Sequence, residues 1–186
     1  MDDFEDADNQ PTSELFAEWL HYSYNPSLQP VNHSIQGPGH NSNFGLLLDW
    51  VVTDEPDGNV NGTGAGVVSR AANDYVDLSG YTRLVFSHLY QAAGVGDCIS
   101  TPRFRVGFGC REYGAAFEAT VEAGSDWTTT NLVFAAFYEP GFLPSTGVPV
   151  EECLAFTDGL NFATADPLDD GQCAAGLLWL DSIAFR

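Results

Sequence analysis

Lysine is absent from this 186-residue chain, and six basic residues stand against 26 Asp and Glu. The six are Arg70, Arg83, Arg103, Arg105, Arg111 and Arg186. A formal charge of −20 repels polyanions, so nucleic acid and anionic membrane surfaces are excluded as partners. The same field favours solubility and the binding of cations. No apolar run approaches the roughly 18 residues of a membrane span. The acidic opening "MDDFEDADNQ" is the opposite of the basic n-region of a signal peptide. No Cys-x-x-Cys occurs among Cys98, Cys110, Cys153 and Cys173, which argues against a zinc site. Four cysteines in a loop-rich acidic chain read as two disulfides, and hence as an extracytoplasmic protein, secreted or at the cell surface. Three connectivities are open; closure of local loops favours 98–110 with 153–173.

Catalytic signatures are equally scarce. The histidines at 21, 33, 40 and 88 form no His-x-x-x-His pattern, and no G-x-S-x-G elbow exists. His88 shares strand parity with Leu84 and Phe86 and reads as a core histidine. Among 26 carboxylates some pair falls at glycosidase-like separation by chance, so such a pair carries no weight.

What is present is an apolar fraction of 44% with 13% aromatics, the composition of a folded globule rather than a disordered chain. The length suits one domain over 1–186. Short alternating or apolar runs, separated by Gly, Pro, Asn and Asp clusters, predict an all-β chain folded as a two-sheet antiparallel sandwich. Strands are expected over 17–24, 45–52, 65–70, 82–91, 103–109, 115–122, 129–137, 154–164 and 177–185. Long loops are expected over 25–43, 53–64, 92–102, 138–152 and 165–175. One short segment, 12–20, is a helix candidate. Trp19, Trp50, Trp127 and Trp179 sit in apolar contexts and read as core.

Two strands alternate cleanly. Phe104, Val106 and Phe108 oppose Arg103 and Arg105, and Phe117, Ala119 and Val121 oppose Glu118, Thr120 and Glu122. A hairpin of the two gathers two Arg and two Glu on one exposed face. In "GLLWLDSIAFR" the same alternation sets Asp181 on a face with Trp179, Ile183 and Phe185, where a buried charge needs a partner.

The order of "DDFED", "VDLSGYTRLVF", "DWTTTNLVFAAF", "FTDGLNF" and "LWLDSIAF" along the chain resembles the bacterial β-sandwich carbohydrate-binding modules, with their galactose-binding-domain-like jelly roll. The β-glucan-binding type is the most similar. The resemblance implies non-catalytic binding of a polysaccharide or oligosaccharide. It also implies a structural calcium held by the acidic residue of the first strand and the Asp of the last, here Glu5 and Asp181, with Asp3 sharing the face of Glu5. Calcium takes 6–8 oxygen ligands, which carboxylates and carbonyls supply. The alternative is an Asp181 satisfied by backbone N–H groups or by an Arg.

For the sugar, the resemblance points to Tyr22 in "EWLHYSY" as the stacking platform. It also points to Asp158 and Asn161 in "FTDGLNF", where Asn161 replaces a ligand-contacting His. Arg103 and Arg105 are further candidates, because a guanidinium donates paired hydrogen bonds to vicinal hydroxyls or to a carboxylate. The alternative for both is cross-strand ion pairing with Glu118 and Glu122. Tyr138 and Phe142, in "FYEPGFLP", are placed to overhang the cleft. A second expectation, of another class, is an extracellular structural or adhesive subunit that self-assembles as a surface layer or filament through loops 25–43 and 138–152. A third is a glycan-active enzyme on the same jelly roll.

Overall fold

Alternating side chains need a second layer to cover their apolar face, and the chain supplies it by passing between two sheets. The computed structural model describes residues 3–6, 8, 11, 16–23, 32–37, 39–53, 63–69, 75–100, 102–164 and 172–186, the side chains of 21–23, 32, 33, 52, 53 and 63 excepted. Within these residues lie β1 (Leu20–Ser23), β2 (Asn32–Gln36), β3 (Gly45–Thr53), β4 (Thr63–Val68), β5 (Arg83–Ala92), β6 (Arg103–Cys110), β7 (Ala115–Glu122), β8 (Thr128–Val133), β9 (Thr157–Thr164) and β10 (Cys173–Phe185). One short helix, α1 (Val150–Cys153), precedes β9. The strands form two five-stranded antiparallel sheets, in the orders β1-β4-β9-β6-β7 and β2-β3-β10-β5-β8. This is the expected two-sheet sandwich.

Phe104, Val106, Phe108, Leu160 and Phe162 from the first sheet meet Leu46, Leu48, Leu84, Phe86 and Leu178 from the second in one core. Phe86 joins the layers, its ring edge-on to Phe162 at 5.3 Å and to Phe104 at 6.1 Å. Trp19 and Trp50 are buried in this core as expected, whereas Trp127 and Trp179 are only half-buried and lie outside it. His88 is too, between Phe86 and Phe104, with Nε2 2.8 Å from Thr130 Oγ1 and no hydrogen-bond partner for Nδ1.

Several expectations are corrected. β2 lies inside the expected 25–43 loop, an edge strand whose residues, Asn-His-Ser-Ile-Gln, carry no apolar alternation. Of the helix candidate 12–20, residues 12–15 lie outside the described residues, Phe16 bridges Ser69, and β1 begins at Leu20. The 154–164 strand starts only at Thr157, because α1 and a 3-10 turn over Leu154–Phe156 fill its beginning. The 129–137 strand ends at Val133, where Phe134–Ala136 turns into the core.

The disulfides are Cys98–Cys173 and Cys110–Cys153, not the local pairs expected. β6 stands between Cys98 and Cys110: eight extended residues span more than 20 Å, beyond any disulfide. Instead Ile99 bridges Ala174 beside the start of β10, and α1 lies against the end of β6. The Cα separations are 4.7 and 5.3 Å.

The alternation assumed across Asp181 fails as well. A β-bulge between Asp181 and Ala184, with Ser182 at φ 52°, inserts one residue. Asp181 therefore pairs with Ser87 on the outer side, while Ile183 enters the core.

Candidate functional site

A cleft of about 830 Å³ runs over the outer face of the first sheet, within the range of ligand sites. Its floor follows from strand register. Val68, Gly159, Gly109 and Ala116 form one row across β4, β9, β6 and β7. Leu20, Gly66, Asn161, Gly107 and Glu118 form the next. Tyr22, Gly64, Ala163, Arg105 and Thr120 form the third. Glycine and alanine thus occupy half of the floor positions, so a flat ligand reaches the backbone there. Cβ atoms added at Gly66 or Gly159 would meet strand carbonyls at 2.8 and 2.6 Å. The walls are apolar and wet: Val68, Tyr75, Phe142 and Leu143 line the cleft and are 37–67% exposed.

Charged groups stand in opposite-sign pairs at the two ends. At one end Arg105 gives Nε to Thr164 O (2.9 Å) and Nη1 to Glu118 Oε2 (3.2 Å), and its guanidinium lies 5.6 Å from the Phe142 ring centroid. At the other, the Asp158 carboxylate lies over Gly109, at the place a Cβ would take. Burial raises the Asp158 pKa, opposed by its own backbone N–H and by Arg111. Planar, fixed hydrogen-bonding groups over a glycine-rich floor with apolar walls suit a polar ring compound with apolar faces.

Of the expected ligand residues, Arg105, Asp158 and Asn161 line this cleft. Tyr138 is not among the lining residues: its backbone exchanges two 2.9 Å hydrogen bonds with Glu118, and its hydroxyl lies 3.2 Å from Thr120 Oγ1. Arg103 is exposed, paired in register with Glu122 one row beyond the lining. Tyr22 falls by register in the third floor row, and its side chain lies outside the described residues. The ion pair weighed for the arginines forms at Arg105, diagonally to Glu118 rather than directly across. The glycine floor and Tyr75 were missed; the glycines at 64 and 66 and at 107 and 109, spaced by two within strands, were the available signal.

The metal candidates lie at a seam elsewhere. Asp181, fully buried, accepts the His40 N–H and the Ser42 hydroxyl at Oδ2, and the Ser182 N–H at Oδ1, each at 2.6 Å. Glu5 accepts the Asn43 N–H at 2.7 Å and the Asn43 side-chain amide at 2.8 Å. The Asn43 backbone donor is the main cause that holds its carboxyl below the ordinary value. First and last segments thus grip one loop, residues 40–44. Asp3 instead takes the Glu5 N–H at 3.4 Å. Phe4, Asn41 and Ser182, all at this seam, have φ between 52° and 58°. Among the described residues no group of three His, Cys, Asp or Glu side chains is arranged to hold a metal. The oxygens present, two carboxylates with the Ser42 hydroxyl and the Phe44 carbonyl, are of the hard type calcium takes.

The two-sheet sandwich is similar in fold to solved β-sandwich carbohydrate-binding modules. Three solved structures are similar over most of their length. The family 11 carbohydrate-binding module of the cellulosomal cellulase Lic26A-Cel5E of Clostridium thermocellum has a TM-score of 0.61 at 14% identity, covering 90% of this chain and 86% of that one. The family 11 module from Clostridium thermocellum in complex with a β-1,3-1,4-mixed-linked tetrasaccharide has a TM-score of 0.61 at 17% identity, with 100% and 92% covered. The solution structure of CtCBM11 has a TM-score of 0.54 at 15% identity, with 90% and 87% covered. At such identities the likeness is one of fold. No protein-family model and no curated protein matches the sequence.

Proposed function

We propose that this chain binds a neutral polysaccharide, without catalysis, in the cleft of the first sheet. The observation that carries the reading is the floor of Gly66, Gly107, Gly109 and Gly159, flanked by exposed apolar walls and by fixed polar groups. Apolar sugar faces meet the walls, while hydroxyls meet Arg105, Asp158 and Asn161. The charges in the cleft balance, Arg105 and Arg111 against Glu118 and Asp158, within a chain of net charge −20. An anionic glycan therefore meets repulsion with no local cationic patch to offset it. A similar fold holds a β-1,3-1,4-mixed-linked tetrasaccharide, which makes mixed-linked glucan the first ligand to try.

Affinity electrophoresis in gels containing mixed-linked β-glucan, xylan or a uronan tests this. Retardation is expected in a neutral glycan, none in the uronan, and loss of retardation in Arg105→Ala. Size-exclusion chromatography should show a monomer. A self-assembling sample that ignores every glycan would overturn the reading in favour of a structural subunit.

Calcium at the Glu5–Asp181 seam and an extracytoplasmic location complete the proposal. The Ser42 hydroxyl has one proton for two acceptors, Phe44 O at 3.0 Å and Asp181 Oδ2 at 2.6 Å, and a cation would satisfy the acceptor left over. Calcium that binds only the folded state should raise Tm over that in chelator. Equal melting in both removes the ion from the account. The two disulfides support the location.

A further inference from the structure

The segment that carries Phe142 is held in an unusual way. Residues 141–147 are exposed, so burial in the core does not fix them. Polar contacts do. The Tyr138–Glu118 bridge ties the base of the segment to the edge of β7. The Glu139 carboxylate then reaches across it: Oε1 accepts the Thr146 N–H at 2.7 Å and the Thr146 hydroxyl, and Oε2 accepts the Ser145 hydroxyl. A Leu143 N–H to Pro140 carbonyl bond of 3.1 Å closes the turn between them. At the tip Phe142, 67% exposed, rests on the Arg105 guanidinium, and Leu143 lines the cleft beside it.

We propose that residues 139–146 form a preset wall of the cleft, with Phe142 as its ligand-facing ring and Glu139 as the positioning residue that holds it closed. The ligand role rests on the carbohydrate-binding reading; the latch does not. An aromatic ring adds contact area at little entropic cost only if its loop is ordered before the ligand arrives. Glu139 supplies that order without touching ligand. Its carboxyl, lowered to about 2 by the Ser145 hydroxyl and then by the Thr146 hydroxyl and N–H, stays ionised and the latch stays closed at any pH used for binding.

The test has two arms on the intact chain. In the first, amide hydrogen exchange is followed at Leu143 and Thr146 without glycan, in wild type, Glu139→Ala and Glu139→Gln. Faster exchange in Glu139→Ala, with partial recovery in Glu139→Gln and an unchanged Tm, is expected. Ser145→Ala with Thr146→Val cuts the same latch from its far end and should give the same result. In the second, Kd for mixed-linked β-glucan is measured. Glu139→Ala should weaken binding about two- to tenfold, the worth of one immobilised side chain. Phe142→Ala should weaken it at least as much, and the double variant no further. Unchanged exchange in Glu139→Ala, or fully additive losses in the double variant, overturns the proposal. If wild type is retained by no glycan, the carbohydrate-binding reading falls, and the exchange arm alone decides the latch.

Discussion

Lowering the pH from 7 to 4 should destabilise the protein through one buried ring. His88 is fully buried among Phe86, Phe104, Leu180 and Thr130, none of them charged. Burial drives its pKa from 6.5 down to about 4. The unfolded chain therefore takes up a proton below 6.5, whereas the folded chain refuses it until about 4. Stability is full above 6.5, falls through that window and levels off below it. At about 1.4 kcal/mol per pH unit the loss is at most roughly 3 kcal/mol, and relaxation of the site trims it towards about 2. Carboxylates held low by hydrogen bonds, such as Glu139, titrate below the window and overlap only its acid end. A His88→Phe variant keeps a ring between Phe86 and Phe104 and removes the titration. Guanidinium unfolding of both proteins at half-unit steps from pH 7 to 4 isolates the effect. The two curves should converge or cross as the pH falls, the wild type losing more. Parallel curves would refute the assignment of acid sensitivity to His88.

Three further outcomes follow from the geometry. Asp158→Asn should raise Tm at pH 7, because burial disfavours the ionised carboxylate there, and leave Tm nearly unchanged at pH 3; glycan affinity should fall in the same variant. Thermal melts at both pH values check the sign. Gly107→Ala puts a Cβ 3.1 Å from Phe117 O and 3.2 Å from the Asn161 amide, so it should cost under about 1 kcal/mol of stability yet weaken glycan retardation. Replacing Cys110 and Cys153 by Ala releases a span of 43 residues, for which chain entropy gives about 4 kcal/mol, read as a lower denaturation midpoint under oxidising conditions.

The sandwich itself was legible, because two-residue alternation survives in strands such as 103–109 and 115–122, whose bounds are nearly those expected. So was the outer face that carries Arg105 and Glu118, since parity alone puts both outside, whereas Asn161 was pointed to by the resemblance. What stayed hidden is non-local. The cysteine pairing depends on which strand stands between two residues, and spacing says nothing of that. The bulge at Ser182 requires a left-handed backbone at a residue with no preference for it, so the environment of Asp181 was misjudged. The role of Glu139 emerges only when a loop folds back on it, because Ser145 and Thr146 are ordinary polar residues until their hydroxyls converge.

β10 follows the other nine described strands, yet it lies at the centre of its sheet, hydrogen-bonded to β3 on one side and β5 on the other. During synthesis, β2-β3 and β5-β8 emerge as two separate ribbons with open edges, and neither can close the core. Asp181, which fixes the His40–Ser42 turn from 139 to 141 residues away, arrives only with that strand. The apolar face of this sheet therefore stays open until β10 has been made, and the strong negative charge of the chain disfavours association of the waiting ribbons.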